Sequence, residues 1–552
     1  MTIGSVLVCL VAVAAVGNAL ASKPYYRDYL HKRANDRVER IKNLPATLSK
    51  PLHSKLNFEL YAEPVNEEVG GVKDVVTDVL TKFFQYTGGD YWYRSDFWTL
   101  GDPCTWYGIT CNSDKEVIKI DLHSNNLTSM VPSVLTNITT LVHLDLSHNS
   151  RIPYDIPTEL WEMENLEYLD LSYCALGSEL PTKIAASNLH TVILTGNRLT
   201  GLLPSWTSCR NLTHLLLDGN AFSGSISFQS YGFSKLETLT LSRNKLSGSF
   251  PEPPFGQMFP LQVLWLYENA DLVGPIPSSW ERFSALKDLE VEHAQGAIPT
   301  SVIMKWENIS HLSITNGELT GPVPAEIFCN STLRKLRYIS FAVNSLDGAL
   351  ISDSSQSCCG MPEDMDIVDF SSNYLNGILP TCVTTGYVKE VYLHNNYFVG
   401  AFPYDADTSR MKNLRVLQVC DNTLSGSIPS YFVSADTTGL RQLGLCYNQF
   451  NNIDDQLKDF FTRIKDYATG CLLDHNPFNC PIPDFVPSYC SAACSNCNTG
   501  DRSYLCDECV TNSQCGWCGE TNNCLEGEYN GPRDEYHCEH SKWVYGNPQQ
   551  CF

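Results

Sequence analysis

The feature that most constrains this chain is an asparagine that keeps returning behind the same apolar frame. The first clear copy reads Val117-x-x-Ile120-x-Leu122-x-x-Asn125-x-Leu127, followed by Val131-Pro132. The asparagine comes back at Asn149, Asn197, Asn220, Asn244, Asn269, Asn344, Asn373, Asn396, Asn422, Asn448 and Asn476. Cys174, Ala294 and Gly317 take its place in irregular copies. That makes about fifteen units with a mean spacing of about 25 residues, the period of a stacked array. Inside each unit the residues flanking the leucines alternate apolar with polar, as a strand with one buried face does. One unit cannot bury that face alone, so neighbouring units stack into a parallel sheet over a continuous core. The asparagine turns inward, where its amide can satisfy backbone groups of adjacent turns.

Each unit continues into a glycine and a proline, as in Leu246-Ser-Gly-Ser-Phe250-Pro251, Leu319-Thr-Gly-Pro-Val323-Pro324 and Leu424-Ser-Gly-Ser-Ile428-Pro429. These segments resemble the plant-type leucine-rich repeat, with its Leu-x-Gly-x-Ile-Pro ending. The resemblance implies an α/β solenoid: a superhelical arc with a parallel β-sheet on its concave face and a second, shorter strand in each unit. Residues 117–489 are expected to hold the repeats and a C-terminal cap, and residues 72–116 an N-terminal cap. Val72 to Tyr86 reads as an amphipathic helix with Val75, Val76, Val79, Leu80, Phe83 and Phe84 on one side. Trp98 and Cys104-Thr-Trp106-Tyr-Gly-Ile-Thr-Cys111 resemble the plant-type N-terminal cap, which implies a Cys104–Cys111 disulfide. Cys420 and Cys446 stand two residues before the asparagine in successive units. Strands about 4.8 Å apart make a rung-to-rung bridge feasible there. Partners for Cys174, Cys209, Cys329, Cys358, Cys359 and Cys382, and for Cys471, Cys480, Cys490 and Cys494, stay open.

Composition changes abruptly over residues 490–552, a small cysteine-rich C-terminal domain. Cys506-x-x-Cys509 and Cys515-x-x-Cys518 offer four thiolates to zinc. In a chain with a secretory leader, disulfides are the stronger reading and no metal is expected. The spacing, with Trp517, Gly527 and Trp543, resembles the plexin–semaphorin–integrin cysteine module. That resemblance implies the pairs Cys497–Cys515, Cys506–Cys551, Cys509–Cys524 and Cys518–Cys538, and a non-catalytic wedge.

Residues 1–21 read as a signal peptide, apolar from Val6 to Val16 and ending Ala19-Leu20-Ala21. Residues 22–71 hold a basic arm. From Lys23 to Lys55 it carries nine basic and three acidic residues, while the whole chain has a net charge of −23. The arm has no sustained apolar face and is read as a solvated linker or propeptide. Of 23 cysteines only Cys9 falls in the leader, so an even number remains for an oxidising compartment. Sequons at Asn126, Asn137, Asn211, Asn308 and Asn330 fit the same setting. The expectation is a secreted extracellular glycoprotein with no membrane span, and the acidic balance argues against nucleic acid as a partner.

These observations point to recognition. No phosphate-cradling glycine loop, His-Glu-x-x-His or Gly-x-Ser-x-Gly is present, and neither an enzyme nor a cofactor is expected. The concave face is the expected site for an extracellular protein, peptide or glycan. Tyr168, Tyr173, Ile193, His214, Leu216, Trp265 and Tyr267 form its candidate patch, read as exposed. Eight histidines on the ladder, His123, His143, His148, His190, His214, His293, His311 and His394, are read as solvated. A structural or adhesive component of an extracellular coat, with self-association, and a receptor-like ectodomain are the alternatives.

Overall fold

The computed structural model describes residues 73–492, apart from 153–154, 255, 257, 330, 351–361, 363–364, 381–387, 403–407, 434–438, 465–470, 480–481 and 491. It also describes the backbone of four strands between 515 and 545. The leader, the basic arm, Asn330, Cys358, Cys359, Cys382, Cys480 and Cys494 lie outside the described residues. So do the side chains of Cys329 and of the eight tail cysteines, and with them the four implied tail pairings.

A sixteen-stranded sheet runs through the described repeats. Its first strand, Ile109–Cys111, is antiparallel to the next. The others are parallel and supply one rung each, from Val117–Asp121 (rung 1) to Cys471–Leu472 (rung 15). The central residues align in register from rung to rung: Ile120, Leu144, Leu169, Val192, Leu215 and Leu239, all fully buried. Burying each such side chain contributes about 2 kcal/mol, so the repeated leucine is itself the solenoid's core. On a second side, strands of two to five residues form a three-stranded sheet and an eight-stranded sheet; they are not the shorter strands expected, since Tyr374–Ile378 has five residues where Ile367–Asp369 of the same unit has three. The glycine before this turn is required: Gly248 sits at φ 88 and Gly426 at φ 84, where a side chain would be strained.

The asparagines carry the polar half of the stacking. Asn149 Nδ2 donates to the Leu122 and Leu146 carbonyls at 2.9 and 2.8 Å. Its Oδ1 accepts from the Asn125 and Leu127 amides at 3.0 and 2.9 Å. Each asparagine thus binds its own turn to the preceding one. Cys174 occupies the same position with a thiol that donates to Leu146 O at 3.1 Å. At rungs 8 (Asp288–Glu292) and 9 (His311–Thr315) the position holds Ala294 and Gly317, and no amide is available. A Cβ on Gly317 would lie 2.5 Å from the Ala294 carbonyl oxygen, so the backbones close directly on each other. The two strands there pair over five residues instead of three.

The residue before that position is left-handed in every unit. His148 (φ 57), Tyr173 (53), Arg243 (55), Glu268 (55), Val343 (57) and Tyr447 (52) are examples, and glycine fills the slot only at Gly196 and Gly219. Such a conformation costs an ordinary residue about 1 kcal/mol. In most units the amide ladder immediately behind it fixes the turn nonetheless.

At the amino-terminal end the helix Lys73–Tyr86 buries Val79, Leu80 and Phe83. Val75, expected on the same stripe, is 52% exposed because it stands in the first turn, off the arc traced by those three residues. Trp92, Trp98 and Trp106 are buried beneath the helix, with successive ring centroids 4.8 and 5.0 Å apart. Cys104 is bridged to Cys111. Further along, Cys420 is bridged to Cys446 across rungs 13 and 14, and Cys471 of rung 15 to Cys490. Cys174 and Cys209 are buried free thiols. In the tail, Cys515–Cys518, Asn523–Glu528, Gly531–Pro532 and Trp543–Tyr545 form an antiparallel four-stranded sheet.

Candidate ligand-binding face

Polar residues of the strands point away from the core, onto the concave face. On rungs 1 to 5 this face is partly accessible, although Asp170 and Asp218 are buried. Asp121, His143, Asp145, Tyr168, Ile193 and His214 are half-buried, and His123 is exposed. From rung 6 (Thr238–Thr240) onward it changes character. Thr240, Ser242, Ser313, Ser340 and Asp369 are each at most 1% exposed.

The candidate patch divides by accessibility. Tyr168, Ile193 and His214 are half-buried. Leu216, Trp265 and Tyr267, expected to be exposed, are instead 5%, 1% and 1% exposed. The Trp265 indole lies along the sheet and donates to Asp288 Oδ1 on rung 8 at 2.9 Å, with its ring 6.5 Å from that of Tyr267. Alternation revealed which face these rings leave by. It did not reveal that they lie down upon it. Tyr173 is 42% exposed but is not a strand residue; it occupies the left-handed slot at the edge of the face. It stacks on His148 at 4.7 Å, and its other face lies against Gly196, where an added Cβ would meet the ring at 2.4 Å. On the same two rungs, His143 stacks on Tyr168 at 4.1 Å with the rings 2° from parallel.

The histidines are not uniformly solvated. His311 and His394 are buried, and burial, aided by the charge of Lys119, holds the His143 imidazole down at about 4. His143 is therefore neutral at physiological pH. His123 is raised by its 2.7 Å hydrogen bond to Asp121.

Three carboxylates line up in register on rungs 1 to 3: Asp121, Asp145 and Asp170. Like charges abreast on neighbouring strands repel. Burial works against the charge of Asp121, yet hydrogen bonds from His123 and Lys119 hold its carboxyl below the usual range. Burial first, and the Asp145 charge second, push Asp170 up to about 6. Its Oδ1 accepts from the Ser172 amide at 2.9 Å. Burial likewise lifts Asp218 to about 6, although the Thr240 hydroxyl and the Ser242 amide donate to it.

Asp121, His123 and Asp145 bring ligand-type atoms within 4.8 Å of one another. Lys119 and His123 already engage both Asp121 oxygens, at 3.0 and 2.7 Å, so the group is paired within the protein. Among the described sequons, Asn137 is exposed. Asn211 and Asn308 accept from Lys235 and Lys335, and Asn126 donates to the Tyr91 carbonyl oxygen. No helix of the described residues is long and apolar enough to cross a membrane.

The chain is similar in sequence to plant receptor-like proteins and in fold to plant receptor ectodomains. Leucine-rich-repeat family models match residues 116–176 and 235–256. Receptor-like protein 35 of Arabidopsis thaliana is 30% identical over 252 residues, 45% of this chain and 23% of that protein. Receptor like protein 24 of the same plant is 31% identical over 357 residues, 56% and 38% of the respective lengths. The matches thus span well under half of these relatives. The LRR ectodomain of the Arabidopsis receptor kinase HAESA, solved with an extended IDA peptide hormone, superposes with a TM-score of 0.61 at 24% identity. That match covers 75% of this chain and 71% of the other. HAESA solved with IDA and the co-receptor SERK1 gives 0.61 at 26% identity over 73% and 70%. The chain therefore carries leucine-rich repeats, and its described repeats share the solenoid fold of plant receptor ectodomains.

Proposed function

We propose that this chain is a secreted, non-catalytic recognition protein that binds an extended peptide or protein segment on the concave face of rungs 1 to 5. The observation that carries this reading is the contrast along the sheet. Asp121, His123, His143, Asp145, Tyr168, Ile193 and His214 are half-buried or exposed on the first five rungs, whereas the mid-strand outward residues Thr240, Trp265, Glu290, Ser313, Ser340 and Asp369 of the next ones are buried. Pre-positioned rings such as the His148–Tyr173 and His143–Tyr168 stacks offer contact area at little entropic cost on binding. HAESA, with the same fold, was solved with a peptide hormone, which lends the reading further support. Relatives named receptor-like proteins make a receptor-like ectodomain the nearest alternative, and it would use the same face.

Selection of the full chain against a displayed peptide library tests this. Enriched peptides should lose at least about tenfold in affinity to Tyr173→Ala or His123→Ala. Equal binding by both variants would move the site off rungs 1 to 5. Sedimentation velocity separates the coat-component alternative, since a persistent monomer speaks against assembly.

A further inference from the structure

A second surface is exposed on the second-side strands of the solenoid, away from the concave face. Ser345–Ala349, Tyr374–Ile378, Tyr397–Gly400, Thr423–Ser427 and Gln449–Asn452 are consecutive in the eight-stranded sheet. The second residue of each strand is buried between two more open ones. Leu346, Leu375, Phe398, Leu424 and Phe450 point inward and are fully buried. Outward stand Tyr374, Ile378, Tyr397 and Val399, exposed by 53%, 59%, 55% and 44%. Ile378 pairs in register with Val399, and Asn376 with Tyr397. The two tyrosine rings are 6.0 Å apart and 10° from parallel.

Large apolar side chains grouped on a sheet surface mark an interaction site more often than chance exposure. The frame around this group narrows the occupant. Asp347 stands beside Tyr374, Asn376 beside Tyr397, Thr423 beside Val399, and Gln449 beside Ser425. No lysine or arginine occurs among the described outward residues of these strands. A second copy would meet the patch with the same acid and no cation to pair with it. An anionic polymer or lipid surface would meet Asp347 on a chain of net charge −23. What fits is an uncharged partner with flat apolar faces and hydroxyl edges. Sugar rings supply both: C–H faces for the tyrosines, Ile378 and Val399, and hydroxyls for Asn376, Thr423 and Gln449. The apolar group spans two neighbouring strands, and hydroxyl- or amide-bearing residues such as Ser345, Thr423 and Gln449 continue on the strands to either side at about 4.8 Å, which favours a linear chain over a compact ligand.

We infer that this face binds a neutral, linear polysaccharide. Electrophoresis of the full chain through gels containing soluble xyloglucan should slow its migration, and polygalacturonate should not. Tyr374→Ala with Tyr397→Ala should weaken retardation about tenfold. Because both rings are exposed, thermal unfolding should be unchanged. Tyr173→Ala, which tests the concave site, should leave retardation intact. The inference is overturned if xyloglucan has no effect, if the double variant is retarded like the parent, or if polygalacturonate binds more strongly. It is equally overturned if the double variant loses a self-association that the parent shows in sedimentation.

Discussion

Val343 holds a left-handed backbone, φ 57, that β-branched residues rarely adopt. Its conformation is imposed by the turn, so a residue tolerant of that region should relieve it. Val343→Asn should raise the free energy of unfolding by about 1 kcal/mol, measured by urea denaturation. Asp170 stores the opposite kind of tension. Its folded carboxyl at about 6 lies above the ordinary 3.8, so the folded state holds a proton more readily than the unfolded state. Its contribution is fully present below about 3.8 and is lost as pH rises through 6. Asp170→Asn keeps an acceptor for the Ser172 amide and removes the charge. Its melting temperature should exceed the parent's at pH 7.5, and the difference should shrink as pH falls through 6 and vanish near 4. His143 works in the other direction, being held at about 4, so the parent's own profile mixes both and the variant comparison isolates Asp170.

At the scale of the element, stacking rests on two interchangeable devices. Where the amide ladder is intact, one asparagine serves several backbone groups. Asn373 Oδ1 accepts from Leu346 N at 3.1 Å, and its Nδ2 donates to the Phe341 and Phe370 carbonyls at 3.0 and 3.1 Å. Asn373→Ala strands buried partners and should cost about 3 kcal/mol in denaturant unfolding. At rungs 8 and 9 the ladder is missing and the strands lengthen instead. Amide hydrogen exchange should therefore find Leu289 and Leu312 protected no less than Leu239, and faster exchange there would refute the substitution of one device for the other. The recurring asparagine, the inward leucines and the turn glycines could all be read from the chain, because each is one residue type doing one task. The left-handed slot could not. His, Tyr, Arg, Glu and Val fill it, and only Gly196 and Gly219 advertise the geometry. Nor could the buried state of Trp265, since a two-residue period assigns a side and carries no information about solvent access on it.

For the molecule as a whole, the described repeats carry two separable faces. The concave rungs present rings and acids, and the second-side strands present an apolar strip flanked by Asp347. Loss of peptide binding in Tyr173→Ala should leave polysaccharide retardation untouched, and the tyrosine pair 374/397 should show the converse. The row of left-handed residues between rungs and asparagines has a bearing on how such a surface diversifies. Its backbone shape is dictated from behind, in most units by an asparagine amide, and so the side chain in front has little folding duty beyond tolerating a left-handed backbone. The slot is a printed line on which almost any letter can be set: successive substitutions there can rewrite the rim's charge and shape one character at a time, while the page beneath stays flat.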